Sequence, residues 1–494
     1  MKLLKLSLAL ASIVSYASAD DLRGDLTGIH AYTVFPGDPS YNQVSQAFNA
    51  RFTFHPAAVT FPSTPHQVAE IIKIGEKFNY KVIARSGGHS YIANGLGGKN
   101  GDVVVDLRNM THIDVSASTG VATIHTGNRL ADVALALNQK GRGIPHGLCP
   151  YVGIGGHSAH GGWGYASRMW GLTLDTITSI DVVLADGTIT KISNKHKPDL
   201  FWAMRGAGSS FGITTAITVQ SYPVPPVATA FAYDWDFSAA DAAHAISLCQ
   251  KFGETNIPKE LSIELTFTKG TAAGRVHLSF TGGWYEQPDK LDGVLAPFLS
   301  QLPKPVSINN KVGSYIDIVT YLGGLGTLDV HSKPDTPNTF YAKSLMTPEA
   351  SPIGDKALNA FTTYLSNQGF STDLDWFIQL EMYGGKNSAI NAVSVDATAF
   401  ARRNALWTIQ FYASSPNHQP PFPDSGLTWL DDLVSSITSN SPPDWDYGAY
   451  TNYIDNRLSN WQHMYYASHY GRLQSLKQKY DPKNTFSFPE SIEL

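Results

Sequence analysis

The chain has 494 residues, more than one compact core usually holds, so two or three domains are expected. Its 43% hydrophobic and 16% charged content is that of a globular protein, and its formal net charge is −5. With lysines and arginines scattered and no basic run, neither nucleic acid nor an anionic membrane surface is an expected partner.

The opening stretch, MKLLKLSLALASIVSYASAD, sets Lys2 and Lys5 before an apolar run from Leu6 to Val14, then Ala17-Ser18-Ala19 before Asp20. That order reads as a secretory signal over residues 1–19, cleaved after Ala19, and predicts an extracellular protein. The run is too short to span a bilayer, and no later run is long enough to cross one. Asn109-Met110-Thr111 offers one glycosylation sequon.

From residue 57 a regular pattern begins. STPHQVAEIIKIGEKF predicts a helix with Thr64 as N-cap, Pro65 in its first position and Gln67 completing a capping box. KVIA, DVVVDL and VATIH read as strands, and RLADVALALNQK as a helix stopped by Gly141. ITSIDVVLADGTITKIS predicts a hairpin turning at Asp186-Gly187. PDLFWAMRG is a short helix and FGITTAITVQ a strand, followed by Pro223, Pro225 and Pro226. The first domain is therefore read as residues 20–224.

Residues 225–440 have a different grammar, with strands LSIELTF, RVHLSFTGGWY, DWFIQLEMY and LWTIQFY interleaved with helices. Period-two alternation sends Trp376, Ile378, Leu380 and Met382 one way and Phe377, Gln379, Glu381 and Tyr383 the other. Ser262, Glu264 and Thr266 fall on one face of their strand, and Thr408, Gln410 and Tyr412 on one face of theirs. Such a face is either the solvated side of an antiparallel sheet or a binding surface. Its Gln, Tyr and Phe content suits a neutral polyhydroxylated ligand. Residues 441–494 form a C-terminal segment with a helix closed at Asp481-Pro482.

Three glycine-bearing loops carry the chemical signal: Arg85-Ser86-Gly87-Gly88-His89-Ser90-Tyr91, the segment with Gly153, Gly155, Gly156, Gly161, Gly162 and Gly164, and the segment MRGAGSSFG with Gly206, Gly208 and Gly212. Successive backbone N–H groups in such loops suit a diphosphate. No Walker lysine and no strand-to-helix GxGxxG is present, so the residues indicate a large phosphate-bearing cofactor outside the usual dinucleotide fold. His146, His157 and His160 near Cys149 raise a metal site, but their spacing fits no familiar zinc pattern and no carboxylate is near, so none is expected. The only cysteines are Cys149 and Cys249. A secreted chain would pair them by default. Cys249 recurs at helical spacing with Ala242, Ile246 and Phe252, whereas Cys149 sits among glycines, which argues against a simple staple.

RSGGHSY, GLCPYVGIGGHSAHGGWG, DLFWAMRGAGSSFG and YTNYID…YDPKNTF together resemble the berberine bridge enzyme-like FAD oxidases of the vanillyl-alcohol oxidase superfamily, and within them the fungal glucooligosaccharide oxidases. The resemblance spans nearly the whole mature chain. It implies an α+β protein: a two-part PCMH-type FAD-binding domain and a substrate domain whose antiparallel sheet, flanked by helices, roofs the flavin. By resemblance FAD is attached twice, at His89 and at Cys149, which leaves Cys149 no disulfide. Arg85, Ser86, Gly87, Gly88, Ser90, Gly153, Gly155, Gly156, His157, Gly212, Ile213, Tyr450 and Asn452 are implied to surround it. Tyr453 is the implied base, assisted by Glu381, where the oligosaccharide oxidases have an aspartate.

Tyr91, Glu264, Phe377, Gln379 and Gln410 match substrate positions, and Tyr91 is also counted with the catalytic group; Phe377 replaces a sugar-stacking tryptophan. His160 replaces a glycine of plant relatives, and the small Val152 is like that of members that react with oxygen. The resemblance implies a monomeric oxidase that takes an oligosaccharide's C1 hydroxyl to the lactone and reduces O2 to hydrogen peroxide. The alternatives are oxidation of an aromatic or alkaloid-type metabolite, or a flavin-free lectin-like binder.

Overall fold

The computed structural model describes residues 21–494, so the expected signal, residues 1–19, lies outside the described residues. Two small sheets come first. Strands β1 (Tyr32–Val34), β2 (Ala58–Phe61), β3 (Val82–Arg85) and β4 (Val103–Asp106) order as β1-β2-β4-β3, with β2, β4 and β3 parallel. The helix Pro65–Lys77 covers this sheet with Val68, Ala69, Ile71 and Ile72. Thr64 caps it as expected, its Oγ1 accepting from Gln67 N at 3.2 Å. The reciprocal bond shifts by one residue: Gln67 Oε1 accepts from Ser63 N.

The second sheet is antiparallel: β5 (Ile113–Val115), β6 (Val121–His125), β8 (Ile177–Val183), β9 (Ile189–Ser193) and β10 (Ile213–Gln220), in the order β5-β6-β10-β8-β9. The short pair β7 (Arg142–Gly143) and β11 (Tyr222–Pro223) lies beside it. The turn at Asp186-Gly187 is present but wider than a two-residue hairpin, because pairing stops at Val183 and Ile189. Gly187 supplies its positive φ of 79°, and Asp186 Oδ1 accepts from Thr188 N.

The large sheet has seven antiparallel strands: β12 (Ala228–Ser238), β13 (Leu261–Lys269), β14 (Arg275–Trp284), β15 (Ser307–Gly313), β16 (Phe340–Pro348), β17 (Asp375–Met382) and β18 (Ala405–Ser414). Their order is β15-β12-β14-β13-β17-β18-β16. One face packs under the helices Ala239–Glu254, Asp355–Ser371 and Asp424–Thr438. It contains Leu261, Ile263, Leu265 and Phe267 of β13 and Trp376, Ile378, Leu380 and Met382 of β17, as the alternation predicts. Cys249 is fully buried in this core and both cysteines are free, so the default pairing of a secreted chain does not form. Strands β12, β15 and β16 are additions to the sequence reading. β16 is buried along its whole length, so it lacks the polar-apolar alternation that marked its neighbours.

Among the described residues no helix is long and apolar enough to cross a membrane. Nor do three His, Cys, Asp or Glu side chains gather there as a metal ion would need.

Candidate active site

The polar face of the large sheet is covered by the glycine loops of the two smaller sheets. Between them lies an open-mouthed cleft of about 390 Å³, within the roughly 300–1,000 Å³ of ordinary small-molecule sites. Its walls include Arg85–Tyr91, Cys149, Val152, Gly153, Gly155, Gly156 and His157 on one side, and Glu264, Gln379, Glu381 and Gln410 on the other. Glu264, Glu381 and Gln410 are 4%, 2% and 6% exposed, so this is not a solvated sheet face.

β3 delivers the first loop to the cleft from its carboxyl end, the usual ligand end of parallel strands. Gly87 and Gly153 do more than approach a ligand; they let two loops touch. A Cβ on Gly87 would lie 2.3 Å from Gly153 N, and one on Gly153 only 2.0 Å from Gly87 N. This backbone contact fixes the spacing between the His89 loop and the Cys149 loop. Gly156 is different, since no atom lies within 4 Å of its would-be Cβ and it borders open space.

Several expected cofactor residues turn out to build the walls. Arg85 is committed internally, donating to Val44 O at 2.6 Å and Gln46 O at 3.3 Å, with Asp106 3.7 Å away. Ser86 Oγ donates to Thr126 O and accepts from Gly155 N, and Ser90 Oγ accepts from Asn94 N. Tyr450 Oη accepts from Gly162 N and Asn452 Nδ2, and Asn452 also donates to His157 O. Ile213 does not reach the cleft; its side chain is fully buried in the apolar core behind, while Gly212 and Thr214 line it. His157 and His160 are held neutral by burial, their pKa values lowered to about 3 and about 4.

His89 is clamped. Phe48 stacks on its ring at 4.0 Å, and its Nε2 lies 2.6 Å from Asp335 Oδ2. Cys149 opens onto the cleft, while burial raises its thiol pKa. A nucleophilic imidazole and a thiol thus line one space.

Opposite them the sheet register aligns the polar groups. Gln379 faces Gln410 across β17 and β18, and Glu381 faces Glu264 across β17 and β13. Gln379 Nε2 donates to Glu264 Oε1 at 2.8 Å, and Thr266 Oγ1 donates to the same atom at 2.7 Å. Gln410 Nε2 donates to Tyr91 Oη, and the Tyr91 ring stacks on Tyr453 at 5.8 Å. Tyr453 Oη donates to Glu381 Oε1 at 2.5 Å. Burial, then the charge of Glu264, pushes Glu381 well above the usual carboxylate range; burial and Glu381 likewise push Tyr453 up. Phe377 lies further out, stacked on Tyr412 at 4.7 Å, and Tyr412 stacks in turn on Phe340.

The comparisons with known proteins agree with this geometry. Residues 56–193 match the FAD binding domain family and residues 449–493 the berberine and berberine-like family. The carbohydrate oxidase of Microdochium nivale is 34% identical over 99% of this chain and 98% of its own.

The chain belongs to the berberine bridge enzyme-like FAD oxidases.

Two solved structures of this family illustrate the likeness. A chitooligosaccharide oxidase superposes with a TM-score of 0.89 at 31% identity, covering 96% of this chain and 99% of that one. The glucooligosaccharide oxidase from Acremonium strictum, whose FAD is 6-S-cysteinyl and 8α-N1-histidyl, superposes with a TM-score of 0.88 at 30% identity, covering 96% and 99%. FAD is therefore the large phosphate-bearing cofactor that the glycine loops indicate, in this family's α+β fold. The open border at Gly156 and the His89 and Cys149 side chains on one wall fit that group.

Sequence reasoning missed three residues around the cleft: Phe48 and Asp335 hold His89, and Glu490 borders the cleft with its pKa raised to about 8 by burial. None has a periodic or glycine signature. Asp335 sits between two prolines, Pro334 and Pro337, in irregular chain.

Proposed function

We propose that this protein oxidises the anomeric C1 hydroxyl of a reducing oligosaccharide to the lactone, with dioxygen as acceptor and hydrogen peroxide as second product. FAD is held through His89 and Cys149. The observation that carries the reading is the Tyr453–Glu381 pair at 2.5 Å beneath a roof of Gln379, Gln410 and Glu264. A sugar is recognised by such neutral amides and carboxylates, whereas an aromatic or alkaloid substrate would call for more apolar walls. The named activities of the relatives on carbohydrate, chitooligosaccharide and glucooligosaccharide point the same way.

Bound FAD supplies the hydride acceptor. The chain's own task is the proton. A free tyrosine, with pKa about 10, is a weak base at neutral pH. Here the substrate hydroxyl gives its proton to Tyr453 while Tyr453 passes its own to Glu381 Oε1, so the working acceptor is the carboxylate. Its raised pKa makes the ionised Glu381 a stronger base than an ordinary glutamate. Where the family has aspartate, the longer glutamate still meets Tyr453.

His89 Nε2 is turned toward Asp335, leaving Nδ1, the N1 nitrogen, for carbon. We further propose a secreted monomer. Oxygen uptake, peroxide and product mass measured with cello-, xylo-, malto- and chito-oligosaccharides and lactose test the reading. Uptake with a gain of a C1 carbonyl supports it; no uptake with any of them overturns it.

A further inference from the structure

The segment 323–339, between the helix Tyr315–Leu322 and β16, has almost no regular structure. Irregular loops longer than about 12–15 residues are uncommon in compact proteins unless they do something. This one lies as a strap against the loops that carry His89 and Cys149. Tyr151 Oη donates to Lys333 O at 3.1 Å, and Arg129 Nη1 donates to Val330 O at 3.3 Å. At its far end Asn338 N donates to Phe48 O, and Ala50 N to Asn338 O. The strap is therefore sewn to the Phe48 segment, whose ring stacks on His89, and to Tyr151, two residues past Cys149.

Between the ties at Lys333 and Asn338, Asp335 Oδ2 lies 2.6 Å from His89 Nε2. Their side chains are 27% and 9% exposed, so the contact is largely shielded from water. A carboxylate at Nε2 keeps the proton there and leaves the lone pair on Nδ1, which is the arrangement a nucleophilic imidazole needs.

We propose that Asp335 is the positioning residue for flavin attachment at His89: it fixes the tautomer that presents Nδ1 and then takes the Nε2 proton as the link forms. The inference rests on the attachment read above. The link exchanges a C8α–H bond of the flavin for a C8α–Nδ1 bond. The carbon gives up one proton and the imidazole its Nε2 proton to Asp335. The electron pair left over, with these two protons, reduces dioxygen to hydrogen peroxide. Atoms and electrons then balance with dioxygen as the oxidant.

The same carboxylate has the opposite effect on the other tether. Asp335 is one of the charges that hold the Cys149 thiol protonated, so its removal eases thiolate formation there. A purely structural strap would affect both links in the same direction.

The test uses full-length protein incubated with FAD, with linked flavin read by acid precipitation and by the mass of the denatured chain. In a Cys149→Ala background, which reports the His89 link alone, D335A and D335N are expected to slow linkage at least about tenfold. D335E partly restores it. In a His89→Ala background D335N leaves the Cys149 link unchanged or faster. His89 linkage at the Cys149→Ala rate in both D335A and D335N overturns the role of Asp335 alone, as does equal slowing of both links. Untouched protein that releases all its flavin on precipitation overturns the attachment itself, and this proposal with it.

Discussion

Glu264 and Glu381 face each other across β13 and β17, two carboxyls paired in register and both buried. Glu264 Oε1 receives Gln379 and Thr266, and Glu381 Oε1 receives Tyr453, while Glu381 Oε2 has no protein partner. No cation is among the groups that shift either one. Both pKa values are raised, burial first. Because the carboxylate form of Glu381 accepts the proton, kcat/KM should rise with pH through a raised apparent pKa belonging to the pair. Replacing Glu264 by glutamine removes the neighbouring charge. The acid limb of kcat/KM in E264Q should then move to lower pH. A limb that stays in place contradicts the coupling.

The same two groups make a stability prediction of definite sign. A carboxyl whose folded pKa is raised stabilises the protein while protonated, fully so below its unfolded pKa of about 4.3. That contribution is lost as pH rises through the folded pKa. E264Q should therefore lose less thermal stability than the parent between acid and neutral pH, as thermal scans of both proteins over that range would read.

Tyr453 is held from three sides: Glu381 at its hydroxyl, the Tyr91 ring at 5.8 Å and the Tyr450 ring edge-on at 5.0 Å. Y453F keeps the packing and removes only the proton carrier, so kcat should fall by about 10²–10⁴-fold with covalent flavin unchanged. E381Q should fall comparably, since an amide cannot take the proton. E381D keeps the charge with one methylene less, so part of the activity should return. Stopped-flow reduction of the flavin separates this step from oxygen reaction.

Much of this arrangement was legible because it is periodic. The alternation in β17 and β18 assigns Gln379 and Glu381 to one face of their strand and Gln410 to one face of its own, and the register sets Gln379 opposite Gln410. The glycine loops announced a cofactor, but their detailed use was hidden. Gly87 and Gly153 serve a loop-to-loop contact that no local pattern encodes, since the two are far apart in sequence. Asp335 and Phe48 reach His89 from irregular chain, where neither period nor composition marks a role.

Phe377 stands at the outer end of an aromatic row, Phe377–Tyr412–Phe340, with centroid spacings of 4.7 Å. Its half-buried ring is available to a second sugar unit but smaller than tryptophan. F377W should lower KM for a trisaccharide more than for a monosaccharide, and F377A should raise it, by roughly 1 kcal/mol each. kcat should move little, because the ring lies away from the Tyr453 pair. Equal effects on sugars of every length would show that the row is only packing.

Asp481 of the C-terminal motif YDPKNTF belongs to a charge pair that is easy to test. Lys477 and Asp481 are both 0% exposed and lie 2.8 Å apart. Lys477 Nζ also donates to Ser210 O and Phe486 O, tying the final helix to the third glycine loop, while Asp481 accepts from Thr485 N and Phe486 N. K477M leaves the Asp481 carboxylate buried with backbone donors only, at a cost of about 3–5 kcal/mol. D481N keeps one oxygen for those donors but strands the ammonium. The double variant K477M/D481N removes both charges and should recover a large part of the loss. Inactivation half-lives at a fixed elevated temperature suit a chain of this size, whose unfolding is expected to be irreversible. Losses that simply add in the double variant would mean that the two groups do not act as a pair.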